Sequence, residues 1–146
     1  MHAISIKMGL WMLAGFIAFF LLMYAMGLGY RTELHLFNGV IQLFCLYWAI
    51  RSYYVHNPEN MVRYMAGVAQ GMSASVIGIG GFTVFMTIFI AMNPEFLETL
   101  RQNSQMGEYL TPFTASLFIL VEGLMISLIG SYILTRILLD VTFKKV

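Results

Sequence analysis

The sequence predicts an all-α integral membrane protein, with residues 1–146 forming a single four-helix transmembrane domain. Three observations predict this fold class. Sixty per cent of the 146 residues are hydrophobic and only 10% are charged, whereas soluble domains carry about 25% charged residues because their surfaces face water. Four apolar stretches reach the length of about 20 residues that crosses the hydrocarbon of a bilayer. Polar segments that are typical of turns separate these stretches.

The four predicted spans cover, approximately, residues 8–28, 34–54, 66–92 and 112–137. Each must be helical, because a spanning segment finds no hydrogen-bond partners for its backbone in lipid. The first span lies near the N-terminus, where a signal peptide would also lie. Its apolar run exceeds the about 7–15 residues of a signal core, so we expect it to be retained.

The segment between the third and fourth spans predicts a short amphipathic helix. Asn93, Pro94 and Glu95 read as a helix N-cap, a proline in the first turn and an acidic first turn. The apolar residues that follow share one face and are Phe96, Leu97 and Leu100. This face is expected to lie at the membrane surface or to contact a partner protein.

The basic residues predict an orientation, because cytoplasmic segments carry an excess of Lys and Arg. Six of the eight fall on one side of the four spans, and these are Lys7, Arg51, Arg63, Arg136, Lys144 and Lys145. Arg31 and Arg101 fall on the other side. Both termini are therefore expected in the cytoplasm, with the amphipathic helix on the outer side.

Two ridges of small residues predict close packing between the third and fourth spans, since small side chains let membrane helices approach. The ridges are Gly67, Gly71 and Ser75 in the third span, and Gly123, Ser127 and Ser131 in the fourth. A dimer interface is the alternative reading of the same ridges. The glycines at 78–81 could also mark a kink in the third span.

One carboxylate lies deep in a predicted span. Glu122 follows Pro112 by ten residues, which places it about 15 Å below the outer surface. An acidic residue at that depth costs about 2.5–3.5 kcal/mol on insertion scales. Counting depth along the other spans predicts an intramembrane polar layer, consisting of Glu122, Gln42, Thr83 and Asn38.

The sequence is compatible with three roles for Glu122. It could hydrogen-bond Gln42 or a backbone carbonyl and so fix the register of the helices. It could instead serve as a proton or cation relay or a ligand contact. The third possibility is a pairing with a basic residue of another chain.

The sequence offers no set of residues for catalysis, for a cofactor or for a metal. His2 and His56 are predicted on one side of the membrane and His35 on the other, so about 30 Å of hydrocarbon separates them. The net charge of +1 gives no reason to expect a nucleic-acid partner. We therefore expect no enzyme activity.

Across its whole length the chain resembles an uncharacterised family of four-helix bacterial membrane proteins, a domain of unknown function common in Bacteroidota. The likeness rests on the order of three segments: residues 50–53 (Ile-Arg-Ser-Tyr), 93–97 (Asn-Pro-Glu-Phe-Leu) and 122–129, which begins Glu-Gly-Leu. The resemblance implies a bacterial inner membrane, and it implies no activity.

The sequence is compatible with two alternative functions from different classes. The first is an accessory or scaffold subunit of a larger inner-membrane assembly, whose partners are membrane lipids and other membrane subunits or a second copy of the chain. The second is a small proton- or cation-linked carrier or channel that uses Glu122 within a homo-oligomer. The small ridges and the amphipathic segment favour the first, and the polar layer favours the second.

Overall fold

The computed structural model describes residues 2–29, 35–59 and 64–143 of the chain. These residues form five α-helices and contain no β-strand, so the predicted all-α fold class is confirmed. The helices are α1 (His2–Ala25), α2 (His35–His56), α3 (Tyr64–Met92), α4 (Pro94–Asn103) and α5 (Pro112–Phe143). A short 3-10 helix, Gly107–Tyr109, lies between α4 and α5.

Some of the sequence predictions concern residues outside the described ranges. The polar turn between the first two spans falls mostly on residues 30–34, and part of the next loop falls on 60–63. Four basic residues used for the predicted orientation also lie outside the described residues, namely Arg31, Arg63, Lys144 and Lys145.

Three helices in the described part of the chain are long and apolar enough to cross a membrane. They are α1 over Ala3–Ala25, α3 over Tyr64–Met92 and α5 over Pro112–Val141. For these three segments the predicted long apolar helices are confirmed. α2 has 22 residues but is less apolar, because Asn38, Gln42 and Arg51 interrupt it, and its span remains a prediction.

The first and last long helices have ends that their sequences specify. α1 is followed by Gly27, whose φ of 71° favours glycine. The amides of Gly27 and Leu28 donate to the carbonyls of Tyr24 and Met23, which is the Schellman arrangement. α5 begins at Pro112 directly after Thr111, whose Oγ1 accepts a hydrogen bond from the Thr114 amide at 3.1 Å.

The four long helices alternate in direction. Ser5 near the start of α1 bonds to Gln70 near the start of α3, and Tyr64 bonds to Tyr132 near the end of α5. These contacts define what we call the termini end of the bundle. The opposite end, where α4 lies, is called the α4 end. α3 is central, because it packs against α1, α2 and α5.

Glycines on α3 let its neighbours approach closely. A Cβ atom added to Gly78 would lie 2.9 Å from the Cβ of Met12 on α1. Gly71 faces Ser131 of α5, and Gly123 of α5 faces Ile79 of α3. Ser75, Ser127 and Ser131 are fully buried. The two ridges therefore meet the neighbouring helices within one chain, and α3 continues as one helix through residues 78–81.

We expect Gly71→Val to destabilise the bundle. A Cβ atom at this position would meet Ser131 Oγ and would lie 3.1 Å from Ser131 Cβ, so α5 would have to shift. Overpacking of this kind costs about 1–3 kcal/mol. The test is a thermal melt of the protein in a mild detergent, with the loss of helical circular dichroism as the signal.

Gly80→Val is the matched control, because a Cβ at Gly80 meets no atom within 4 Å. It should melt near the wild-type temperature. Equal melting of the two variants would show that the contact of α3 with α5 does not depend on Gly71.

Candidate functional site

Glu122 lies on α5 with an exposed side chain. The structure gives it no hydrogen bond or ion pair with any other described residue. Its neighbour on the same helix edge, Phe118, is 60% exposed. The carboxyl group of Glu122 therefore makes no hydrogen bond to Gln42 among the described residues, and the predicted polar layer through Glu122 stays a prediction.

Gln42 of α2 binds the backbone next to Glu122 instead of its carboxyl group. The side chain is 3% exposed, and its Nε2 donates to Gly123 O at 2.7 Å and to Ser127 Oγ at 2.5 Å. Successive helical residues are rotated by about 100°, so the carbonyl oxygen of Gly123 and the hydroxyl of Ser127 one turn later both lie within reach of Gln42, while Glu122 points to one side.

The other two members of the predicted polar layer are separated. Asn38 lies four residues before Gln42 on the same edge of α2, and its buried Oδ1 has no hydrogen-bond partner among the described residues. Thr83 Oγ1 on α3 is also buried without a partner, but it does not line the space beside Glu122. The structure thus brings Asn38, Gln42 and Glu122 to one place and leaves Thr83 outside it.

A cavity of about 710 Å³ lies in the α4 end of the bundle. Its polar lining comprises Asn38 and Gln42 on α2, Glu122 on α5, and the exposed residues 103–105 at the end of α4. The remaining walls are mainly apolar and include Phe16, Phe20, Phe82, Met86, Ile90, Phe96 and Ile119. The exposed Phe118 and Glu122 also line the cavity, so it opens to the outside along this edge of α5.

α4 covers one end of this cavity. The Phe96 ring is only 8% exposed, and its centroid lies 5.9 Å from that of Phe20 and 5.6 Å from that of Phe89. Leu97 and Leu100 pack against the same apolar cluster. The short helix was correctly placed by the sequence, but its apolar face turns inward.

Phe96, Leu97 and Leu100 thus pack on their own chain, and the contact of this face with a partner protein stays a prediction. An amphipathic helix buries its apolar face on the nearest apolar surface, and here that surface belongs to its own chain. The Arg101 Nε donates to Leu110 O at 2.9 Å and holds α4 in this position. Asn93 donates to Phe89 O at 2.8 Å, so its side chain caps the end of α3 and not the start of α4.

The termini end holds a second polar contact that the sequence did not reveal. Ser5 Oγ donates to Gln70 Oε1 at 3.1 Å, and both side chains are buried. No spacing pattern joins residues 65 positions apart, so only the fold brings this pair together. Two further contacts are exposed: Arg136 pairs with Asp140 at 3.3 Å, and Arg51 lies 5.3 Å from the Trp48 ring centroid.

Comparisons of the chain with protein-family models, with curated proteins and with solved structures gave no match. Within the described ranges, no three His, Cys, Asp or Glu side chains come together as a metal site requires.

We expect a double-mutant cycle of Gln42→Leu and Ser127→Ala to give a coupling energy of about 0.6 kcal/mol, the average for hydrogen bonds between membrane helices, and at most about 1.7 kcal/mol. The physical reason is the bond from Gln42 Nε2 to Ser127 Oγ. The measurement is the free energy of unfolding in mixed micelles. Ser116→Ala is the control partner, because Ser116 bonds only to Pro112 O in its own helix. Additive effects of Gln42→Leu and Ser127→Ala would contradict the assignment.

We expect Phe96→Ala to release α4 from the bundle. The substitution removes the ring that contacts Phe20, Tyr24 and Phe89, and burial of such a ring is worth about 3 kcal/mol. The readout is faster amide hydrogen exchange in residues 94–103. Phe113→Ala removes the same side chain from an exposed position on α5 and should leave that exchange unchanged. Equal protection of α4 in both variants would refute the packing role.

Proposed function

We propose that this chain is a non-enzymatic accessory or scaffold subunit of a larger assembly in a bacterial inner membrane. The observation that carries the proposal is the exposed, unpaired Glu122 on a helix that is long and apolar enough to span a membrane. A carboxyl group in that position needs a polar partner, and the described part of the chain supplies none. Another membrane chain, or a second copy of this one, is the source we propose.

The surroundings of Glu122 support this proposal. The exposed residues near it on α5 are apolar, and they include Val121, Met125, Leu128 and Ile129. Leaving a carboxyl group on such a face costs about 2.5–3.5 kcal/mol at the bilayer centre. A hydrogen bond or an ion pair from a neighbouring chain offsets that cost. The association of membrane helices through polar side chains is a common means of assembly.

We extend the proposal to four spans with both termini in the cytoplasm. The 22 residues of α2 measure about 33 Å as a helix, which is enough for about 30 Å of hydrocarbon. α2 also packs along α1, α3 and α5, so it shares their depth. The basic residues Lys7, Arg51 and Arg136 fall at the termini end, as the positive-inside rule requires for a cytoplasmic side. The bacterial location rests on the family resemblance.

The cavity favours a second candidate, the proton- or cation-linked carrier or channel. It reaches from α4 to Glu122 and opens along α5. A carboxyl group that binds and releases a cation needs such an accessible path. A carrier predicts that proton or alkali-cation flux into proteoliposomes depends on Glu122 and falls in Glu122→Gln. A subunit without transport activity predicts no difference from protein-free vesicles.

The deciding experiment is the native mass of the tagged protein, extracted from its own membrane in a mild detergent. We expect a mass well above one chain, with defined co-purifying chains or copies. Glu122→Leu should return the protein to a lone chain, because leucine can neither donate nor accept a hydrogen bond. Glu122→Gln should retain the assembly, because its amide keeps that capacity.

Met125→Leu is the matched control on the same exposed face of α5 and should leave the mass unchanged. The proposal fails if the wild-type protein is a lone chain in this extract. It also fails if Glu122→Leu assembles as the wild type does, because the carboxyl group would then play no part in association.

A further inference from the structure

We infer that the cavity at the α4 end binds a lipophilic aromatic amine, with the ammonium group at Glu122 and Asn38 and the aromatic part among the phenylalanines. This inference goes beyond assembly, because it assigns a ligand to a space inside one chain. It rests on the volume of the cavity, on the chemistry of its two kinds of wall, and on its opening along α5.

The size and the apolar walls fit a drug-sized organic molecule. The volume of about 710 Å³ lies within the range of about 300–1,000 Å³ that is typical of ligand sites. Phe16, Phe20 and Phe82 form an aromatic wall, with ring centroids of Phe16 and Phe82 5.4 Å apart. Aromatic side chains stack on aromatic ligands and attract the edges of their rings.

The polar wall presents hydrogen-bond acceptors. The buried Oδ1 of Asn38 has no partner among the described residues, and Glu122 offers carboxyl oxygens at the edge of the cavity. Gln42 already uses its Nε2 on Gly123 and Ser127. The unpartnered Asn38 Oδ1 and the carboxyl oxygens of Glu122 therefore favour a ligand that brings donors to this wall. An ammonium group brings up to three, and it also neutralises a carboxylate.

The position of the opening suits a ligand that arrives from the lipid phase. Phe118 and Glu122 are exposed and follow each other at four-residue spacing along α5. Lipophilic amines dissolve in membranes, so the amine meets Glu122 at the edge before its ring system enters the cavity. An alcohol of the same shape would bring only one donor and no charge to Glu122.

The test compares three probes that share one ring system: 1-pyrenemethylamine, 1-pyrenemethanol and 1-pyrenecarboxylic acid. The protein in lipid nanodiscs is equilibrated with each probe, and the amount retained beyond that of empty nanodiscs is measured by fluorescence. We expect saturable binding of one amine per chain, about tenfold tighter than that of the alcohol. The acid should bind no more than it does to empty nanodiscs.

Two variants separate the cavity from the rest of the surface. Gly39→Leu fills part of the cavity, because Gly39 lines it and a Cβ there meets no atom within 4 Å. It should weaken binding of the amine at least tenfold. Gly80→Leu adds the same side chain outside the cavity, at a glycine that is equally free of close contacts, and should bind as the wild type does. Glu122→Gln should abolish the preference for the amine over the alcohol.

The inference is overturned if the amine and the alcohol bind the wild type equally, or if Gly39→Leu binds the amine as well as Gly80→Leu does. Its failure is distinguishable from failure of the proposed assembly. Gly39→Leu alters the cavity and leaves the exposed face of α5 unchanged, so the native mass of that variant reports on assembly separately. Loss of amine binding with an unchanged mass supports the cavity site alone.

Discussion

The contact of α3 with its neighbours is the constraint on which the rest of the structure depends. Lipid does not drive apolar helices together, so they are held by close packing and by hydrogen bonds. On α3, Gly71 and Gly78 bring backbones within reach of Ser131 and Met12. Gly71 and Gly78 are seven residues apart and lie on nearly the same face of α3, with α5 close at Gly71 and α1 close at Gly78. The buried serines Ser75, Ser127 and Ser131 fit the same interfaces because they are nearly as small.

The hydrogen bonds of Gln42 join α2 to α5 between the termini end and the α4 end of the bundle. Towards the termini end, α2 and α5 touch, with Leu43 and Leu46 beside Gly130. Towards the α4 end, Asn38 of α2 and Glu122 of α5 both line the cavity. The Gln42 amide that donates to Gly123 and Ser127 also lines the cavity. The same bonds leave Glu122 at the edge, where it is open to a partner chain or to a ligand.

α4 and its aromatic contacts give the cavity its end wall. Phe96 packs with Phe20, Tyr24 and Phe89, all at edge-to-face angles, and such pairs stabilise beyond the area that they bury. Assembly and ligand binding both assign a partner to the Glu122 carboxyl group, so on any one chain they are alternatives at this residue.

The sequence by itself determined the helices, the three strongly apolar spans and the short amphipathic helix, because helix periodicity, apolar length and turn residues are local properties. It also identified Glu122, Gln42 and Asn38 as unusual. Only the tertiary structure decided how these side chains face each other. Counting depth along a helix gives height but not rotation, and one residue of rotation moved the partner of Gln42 from Glu122 to Gly123. The Ser5 and Gln70 pair, the cavity and the inward face of α4 likewise depend on which helix surfaces meet, and no local pattern encodes that choice.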